Sequence, residues 1–366
     1  MRKLASIQTI KEINPIEGKE KIGLATVEGW HVIVRYDQFS PGQLCVYIEI
    51  DSVLPDKPEF EFLRSRNFRI KTMKMGGVIS EGICFPMSIL PPGVYNEGDD
   101  VTELLGITKY DEYNDIAPTA ENKTDNRQSR FKSFLFKHRI TKPIAKLLFV
   151  KKSAKSQFVD EVSKTDEVRI QNIPWIVNGK TKEYTYEVRE KIDGQSGTFL
   201  LRRRKKLFGL ITKYEFVVCS RNMQLSKPDD SSYWNVARKY DIENVLKKLV
   251  GKEKWVCIQG ECIGPKIQTN PYKVKDFDLY CFNLIYPYGI IEGLEAERIV
   301  SQYGLKWVPL VDANYKLPDT VDEILDFAEG TSAICDTLRE GVVIRDYNHS
   351  ISFKAVARSY LMKHRK

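Results

Sequence analysis

The run Lys191-Ile192-Asp193-Gly194-Gln195-Ser196-Gly197 lies between two short β-rich segments, 184–188 and 198–202. It puts a lysine at a strand end, a carboxylate two residues on and glycines behind them. Alone, K-x-D-G is weak: it arises by chance in roughly one chain in ten of this length, and its ordinary reading is a surface turn. Strands are expected around it at 184–188, 198–202, 214–219, 255–260, 278–284 and 341–345, with helices at about 230–250, 292–303 and 319–329. Residues 157–366 therefore read as an α+β unit. Ser163-Lys164-Thr165-Asp166 has the form of a capping box and predicts a short helix ended by Pro174.

Further short motifs follow in order. Ser220-Arg221-Asn222 comes after a strand, and Gln259-Gly260-Glu261 ends one. An aromatic strand carries Phe277, Tyr280 and Phe282. Glu340-Gly341 opens the last long strand, and Ser352-Phe353-Lys354 comes near the C-terminus. Singly, each has a plain explanation: an aromatic strand is usually core, and a lone glutamate after glycine is usually a solvated turn. Chance does not account for the ordered series.

That series resembles motifs I, Ia, III, IIIa, IV and V of the covalent nucleotidyltransferases, which include polynucleotide ligases and mRNA capping enzymes. Lys164-Thr165-Asp166-Glu167, followed by Arg169-Ile170-Gln171-Asn172, resembles the RNA ligases within that superfamily. The β-rich N-terminal part is similar to the OB domain of the RNA ligase clade with members in Deinococcus and Naegleria.

The resemblance implies an ATP-dependent RNA ligase sealing 3′-OH/5′-phosphate ends, at nicks in duplexes, through lysyl-AMP and 5′-adenylylated RNA. Lys191 would be the nucleophile toward the α-phosphate of ATP. Lysine suits this task because its amine, with an ordinary pKa of about 10.4, can lose its proton, whereas arginine effectively cannot. Asp193 and Glu340 would hold a hydrated Mg²⁺, with Mn²⁺ as substitute. Glu261 would accept from a ribose hydroxyl or join the metal shell. Lys354 would neutralise the α-phosphate as pyrophosphate leaves. Phe282 would stack on adenine, with Tyr280 as substitute on the same strand face. Arg221 would meet the ribose or the nucleic-acid end, and Arg169 the β- and γ-phosphates. Motif V reads K-x-K in several clades. Here Val356 holds the second position, so Lys354 acts alone or with another basic residue.

The implied partner is nicked or broken RNA, or an RNA/DNA duplex, bound by a monomer. Capping enzymes and DNA ligases usually carry an OB domain after motif V, and the twelve residues after Lys354 are too few for one. A non-catalytic binding protein on a degenerate ligase fold would be expected to have lost Lys191 or a metal carboxylate.

Upstream, residues 1–110 alternate short β-branched runs with Gly and Pro turns, as in a small barrel or sandwich. The basic stretch Arg64, Arg66, Arg69, Lys71 and Lys74 surrounds Phe68, and the alternation of Arg69, Lys71 and Thr72 allows one charged strand face, which suits an OB-type nucleic-acid surface and equally an ordinary solvated face. The predicted architecture is an OB-like β-barrel (1–110), a basic connector (111–156) and a nucleotidyltransferase domain (157–366).

The whole 366-residue chain carries a net charge of +8. Residues 121–155 hold eleven Lys or Arg against two acids, a surplus larger than that of the whole chain. Such a segment attracts phosphate polyanions or acidic membranes, although a solvated linker looks the same. Phe131, Phe134, Leu135, Ile144, Leu147 and Leu148 suggest one or two amphipathic helices broken near Pro143. No apolar run reaches the ~20 residues of a membrane span, and no signal-peptide core is present. Seven dispersed cysteines without C-x-x-C argue for reduced thiols in the cytoplasm, and four histidines leave little room for a His-ligated metal.

Overall fold

β1 (Ala5–Ile16) is twelve residues long and pairs twice. Its first half runs antiparallel to β4 (Leu44–Ile48), and its second half to β2 (Lys19–Val27). A register shift between Ile10 and Glu12 marks the change of partner. Such a bulge bends and twists a strand, which lets one strand serve both halves of a curling sheet. With β3 (Trp30–Arg35) and β8 (Ile83–Phe85), the sheet order is β3-β2-β1-β4-β8. Two small ladders complete this OB fold: β5 (Ser52–Val53) with β9 (Thr108–Lys109), and the hairpin β6 (Thr72–Met75) and β7 (Val78–Glu81). That hairpin turns at Gly76 and Gly77, both with positive φ. Ile7, Ile10, Val27, Val32, Val46 and Ile48 fill the interior around the buried rings of Trp30 and Tyr47.

The computed structural model describes residues 3–110, 157–206, 211–225 and 228–364. The basic connector and its amphipathic helices, expected within 111–156, lie outside the described residues.

The C-terminal unit has two sheets. The first is ordered β10-β20-β19-β11-β18, from β10 (Val168–Arg169), β11 (Tyr186–Glu190), β18 (Leu310–Tyr315), β19 (Gly341–Asp346) and β20 (Ser352–Val356). The second is ordered β13-β12-β14-β15-β16, from β12 (Gln195–Lys206), β13 (Ile211–Cys219), β14 (Trp255–Ile263), β15 (Asp278–Tyr286) and β16 (Gly289–Ile290), with β17 (Lys306–Trp307) also on β15. All six expected strands are present, most of them longer than expected.

Among the described residues, the α-helices are α1 (Thr102–Leu105), α2 (Ser232–Lys239), α3 (Ile242–Leu249), α4 (Gly293–Ser301), α5 (Val321–Ala328) and α6 (Arg358–His364). The single helix expected at 230–250 is two, broken at Asp241, whose φ is +48°. At the start of α5, Thr320 and Glu323 form a reciprocal capping box.

Two expectations fail. Ser163 to Asp166 open no helix. The chain there is irregular and then joins a sheet edge as β10, parallel to β20. Asp166 spends its carboxylate on Lys354 and Arg221 rather than on a helix N-terminus. Arg69 also leaves its expected strand face: it is 5% exposed, with its guanidinium 3.5 Å from the Tyr110 ring centroid and 3.5 Å from Asp51. Burying this cation requires the carboxylate beside it, so Arg69 serves the interior and not a surface.

The two units are joined by buried polar contacts and a shared core. Trp30 Nε1 donates to Asn172 Oδ1 at 2.6 Å, and Asn172 Nδ2 donates to Glu49 Oε1 at 2.7 Å. From the C-terminal end, Val356 and Leu361 enter the N-terminal core. Arg358 bridges Glu81 (3.2 Å) and Asp322 (2.9 Å), and Asp322 also meets His31 at 3.1 Å. Among the described residues, no helix is long and apolar enough to cross a membrane. All seven cysteines are free.

Candidate active site

A cleft of about 2090 Å³ opens between the two C-terminal sheets and reaches the N-terminal unit. Lys191 leaves the end of β11 and donates its backbone N–H to Gly341 O at 2.9 Å. Its Nζ lies 2.6 Å from Glu340 Oε2. Glu340 is 1% exposed and precedes β19, the antiparallel neighbour of β11. The pairing of two adjacent strands thus brings together residues distant in sequence. Gly341 has to be glycine: its φ is +149°, and a Cβ would sit 2.2 Å from Ala355 O.

Asp193 is positioned differently. It does not itself line the cleft: its carboxylate accepts the Tyr360 hydroxyl at 2.7 Å, while its N–H donates to Tyr272 Oη at 2.8 Å. The turn behind it passes tightly under β14, where a Cβ on Gly194 would meet Cys262 O at 2.4 Å. Glu261 stands on that part of β14 and lines the cleft. Burial pushes its carboxyl up to about 8. Glu340 and Asp193 add to the rise, and Lys191 and Arg221 oppose it.

Across the cleft, Lys354 on β20 donates to Asp166 Oδ1 at 3.2 Å, and Arg221 meets the other oxygen of Asp166 at 3.0 Å. Burial alone would raise Asp166. Lys354, Arg221 and Lys109 outweigh it and hold the carboxyl down at about 2. Arg169 is the register partner of Lys354 on β10. Its 3%-exposed side chain is 3.2 Å from Asp51 and 5.8 Å from the Trp30 ring centroid, so it sits at the joint between the units as well as on the cleft wall. Phe282 lines the cleft. Tyr280, on the same face of β15, instead has Lys306 Nζ 5.4 Å from its ring centroid and is not part of the wall.

Lys191, Glu261, Glu340, Lys354, Phe282, Arg221 and Arg169 therefore share one cleft, with Asp193 just behind it. Sequence reading missed the residues that hold them: Asp166, Tyr272, Tyr360 and a polar chain on the cleft floor. In that chain Arg345 Nη1 donates to Asn283 Oδ1 (2.8 Å), Asn283 Nδ2 to Gln259 Oε1 (2.8 Å) and Gln259 Nε2 to Ser163 O (2.9 Å). It ties the two sheets together across the cleft floor. Ser163, Asp166 and Gln259 fall in stretches the sequence singles out for other reasons, but no local pattern announces these contacts, because each residue meets its partner only in the fold.

Among the described residues, no group of three His, Cys, Asp or Glu side chains converges as a ready-made metal cage. Three carboxylates nevertheless surround the one amine of Lys191: Glu261 is raised chiefly by burial, with Glu340 and Asp193 adding to the rise. A site of this kind suits a cation held through few carboxylates and its own waters.

A family model described as an OB-fold domain matches residues 4–87, and one described as RNA ligase matches residues 184–359. No curated protein sequence matches the chain. Among solved structures, a Naegleria gruberi RNA ligase mutant with AMP and Mn is 30% identical, with TM-score 0.78, over 100% of this chain and 99% of that one. A mutant with ATP and Mn is 29% identical, with TM-score 0.79, over 100% of both chains. The same ligase with PPi is 30% identical, with TM-score 0.78, over 100% of this chain and 99% of that one.

Proposed function

This chain belongs to the RNA ligase family, and from that premise we propose that it uses ATP to join 3′-OH and 5′-phosphate ends of RNA at nicks in duplexes. The observation carrying this reading is Lys191 Nζ, 2.6 Å from the buried Glu340, in a cleft that also holds Glu261, Phe282 and Lys354.

In the first step Lys191 Nζ attacks the α-phosphorus of ATP. An N–P bond forms, the bond to the bridging oxygen breaks, pyrophosphate leaves and the amine gives up its protons to solvent. Glu340 aims the amine. Lys354 neutralises the non-bridging α-oxygens, and Phe282 stacks on adenine. In the second step the RNA 5′-phosphate attacks the lysyl-AMP and frees Lys191. In the third the 3′-OH attacks that phosphate and AMP leaves.

Asp193 and Glu340 would hold hydrated Mg²⁺, or Mn²⁺ in its place. Bound there, the cation supplies positive charge at the α-phosphate. Glu261 accepts from a ribose hydroxyl, Arg221 meets the ribose or the RNA end, and Arg169 answers the β- and γ-phosphates. Residues 1–110 act as an OB-like grip on the duplex, 111–156 as a connector and 157–366 as the nucleotidyltransferase domain. In this reading the active unit is a monomer. Seven free thiols suit a reducing compartment such as the cytoplasm.

The test is covalent labelling by α-³²P-ATP with Mg²⁺, read on a denaturing gel, with GTP in parallel. Label from ATP that is lost in Lys191→Ala is the expected result. The same variant should still seal a nick with a pre-adenylylated 5′ end, since steps two and three do not need a free amine. Absence of label on the folded wild type would sink the reading.

A further inference from the structure

Asp193 and its neighbour Lys191 are held from a distance. Tyr360 is fully buried on α6, 167 residues further along the chain, and its hydroxyl is 2.7 Å from Asp193 Oδ2. A phenol O–H facing a carboxylate oxygen at this distance is the donor. The helix carrying it is fixed through its first turn: Arg358 is clamped between Glu81 and Asp322, and Leu361 is sunk in the N-terminal core. The second contact on Asp193, from its N–H to Tyr272, fixes only the backbone. The Tyr360 hydroxyl, by contrast, bonds the carboxylate itself.

We propose that Tyr360 is a positioning residue for nucleotide transfer: its hydroxyl holds the Asp193 carboxylate in the orientation that the reaction at Lys191 requires. This rests on the reading of Lys191 and Asp193 given above. Tyr360 touches neither nucleotide nor RNA in this scheme and acts through Asp193. The proposal also makes adenylyl transfer depend on how the N-terminal unit seats α6, a link that Lys191 and Asp193 do not reveal by themselves.

The experiment measures single-turnover formation of the ³²P-labelled adenylyl-protein by full-length wild type and Tyr360→Phe, across ATP and Mg²⁺ concentrations. The variant keeps the ring and loses only the hydroxyl. The rate at saturating ATP and Mg²⁺ should fall about tenfold, as expected for losing a hydrogen bond to a charged group. ATP half-saturation should stay within about twofold, Mg²⁺ half-saturation should rise, and thermal unfolding should be nearly unchanged. In an Asp193→Asn background the same change should slow the rate no further, because the two residues act as one unit.

A wild-type rate and Mg²⁺ response in Tyr360→Phe would overturn the proposal. So would an equal loss in the Asp193→Asn background. Tyr360→Leu carries the same test if the Phe variant is not recovered folded, and failure of both to fold would assign Tyr360 to the fold alone. Wild type that takes no label from ATP would instead refute the underlying reading, whereas labelling unaffected by Tyr360→Phe refutes only this step.

Discussion

Lys354 and Asp166 are ion-paired at 3.2 Å on one wall of the cleft. The lysine assigned to the α-phosphate thus already has an anionic partner, which it shares with Arg221. An incoming triphosphate must compete with Asp166 for both cations, and in return finds them already oriented. Asp166→Asn separates these effects. ATP half-saturation should fall about threefold, because a competing anion is gone, while kcat for adenylylation falls about tenfold, because the cations lose their alignment. Steady-state kinetics over ATP concentration measures both.

Glu261 supplies a pH test. Its carboxyl is raised to about 8 in the folded protein, against about 4.3 when unfolded. Between those values the folded state binds the extra proton, so this group's stabilising contribution is fully present below about pH 4.3 and is lost as pH rises through 8. Glu261→Gln should therefore unfold at a higher temperature than wild type at pH 8, with the gap closing toward pH 4.5, and should lose adenylylation. Calorimetry at the two pH values checks the sign; a gap that widens toward acid would contradict it.

Phe282 and Tyr280 share a strand face, but only Phe282 borders the cleft. Phe282→Ala should raise the half-saturating ATP concentration about tenfold, the scale of one base–aromatic stacking contact. Phe282→Trp should be spared, and Tyr280→Ala should leave ATP half-saturation near wild type. Titration of single-turnover labelling with ATP reads all three.

Arg358 faces Glu81, whose side chain is fully buried. Arg358→Ala would strand that carboxylate without its guanidinium, a change that typically costs about 3 kcal/mol. Urea unfolding should register the loss. By releasing α6 it should also slow adenylylation, which an exposed control such as Arg204→Ala should not.

Much of the site was legible because its chemistry sits in short local patterns. The Lys191 run and Glu340 beside Gly341 could each be placed at a strand end by alternation and turn residues, whereas Lys354 was legible only through the motif series and lies in the middle of β20, a strand the sequence did not announce. The misreadings have one physical origin. Ser163 to Asp166 looks like a cap because local propensity favours one, but Asp166 finds stronger partners in Lys354, 188 residues away, and Arg221. Arg69 looks like a surface charge because nothing nearby in the sequence announces Asp51 or Tyr110. Tyr272 and Tyr360 look like ordinary core aromatics, and only the fold reveals what their hydroxyls touch. Local order can be read along a chain, but the choice of distant polar partner cannot.

Val356 and Leu361, buried in the N-terminal core, have a consequence for synthesis. A growing chain usually folds from its beginning as it emerges, at about 5–20 residues per second. Here the first unit cannot close its core until the polypeptide past Leu361 has cleared the ribosome. For the roughly 10–50 s needed to translate the intervening stretch at that pace, the nascent first unit exposes an apolar gap where those two side chains belong, and that gap is where a nascent-chain chaperone would find its footing.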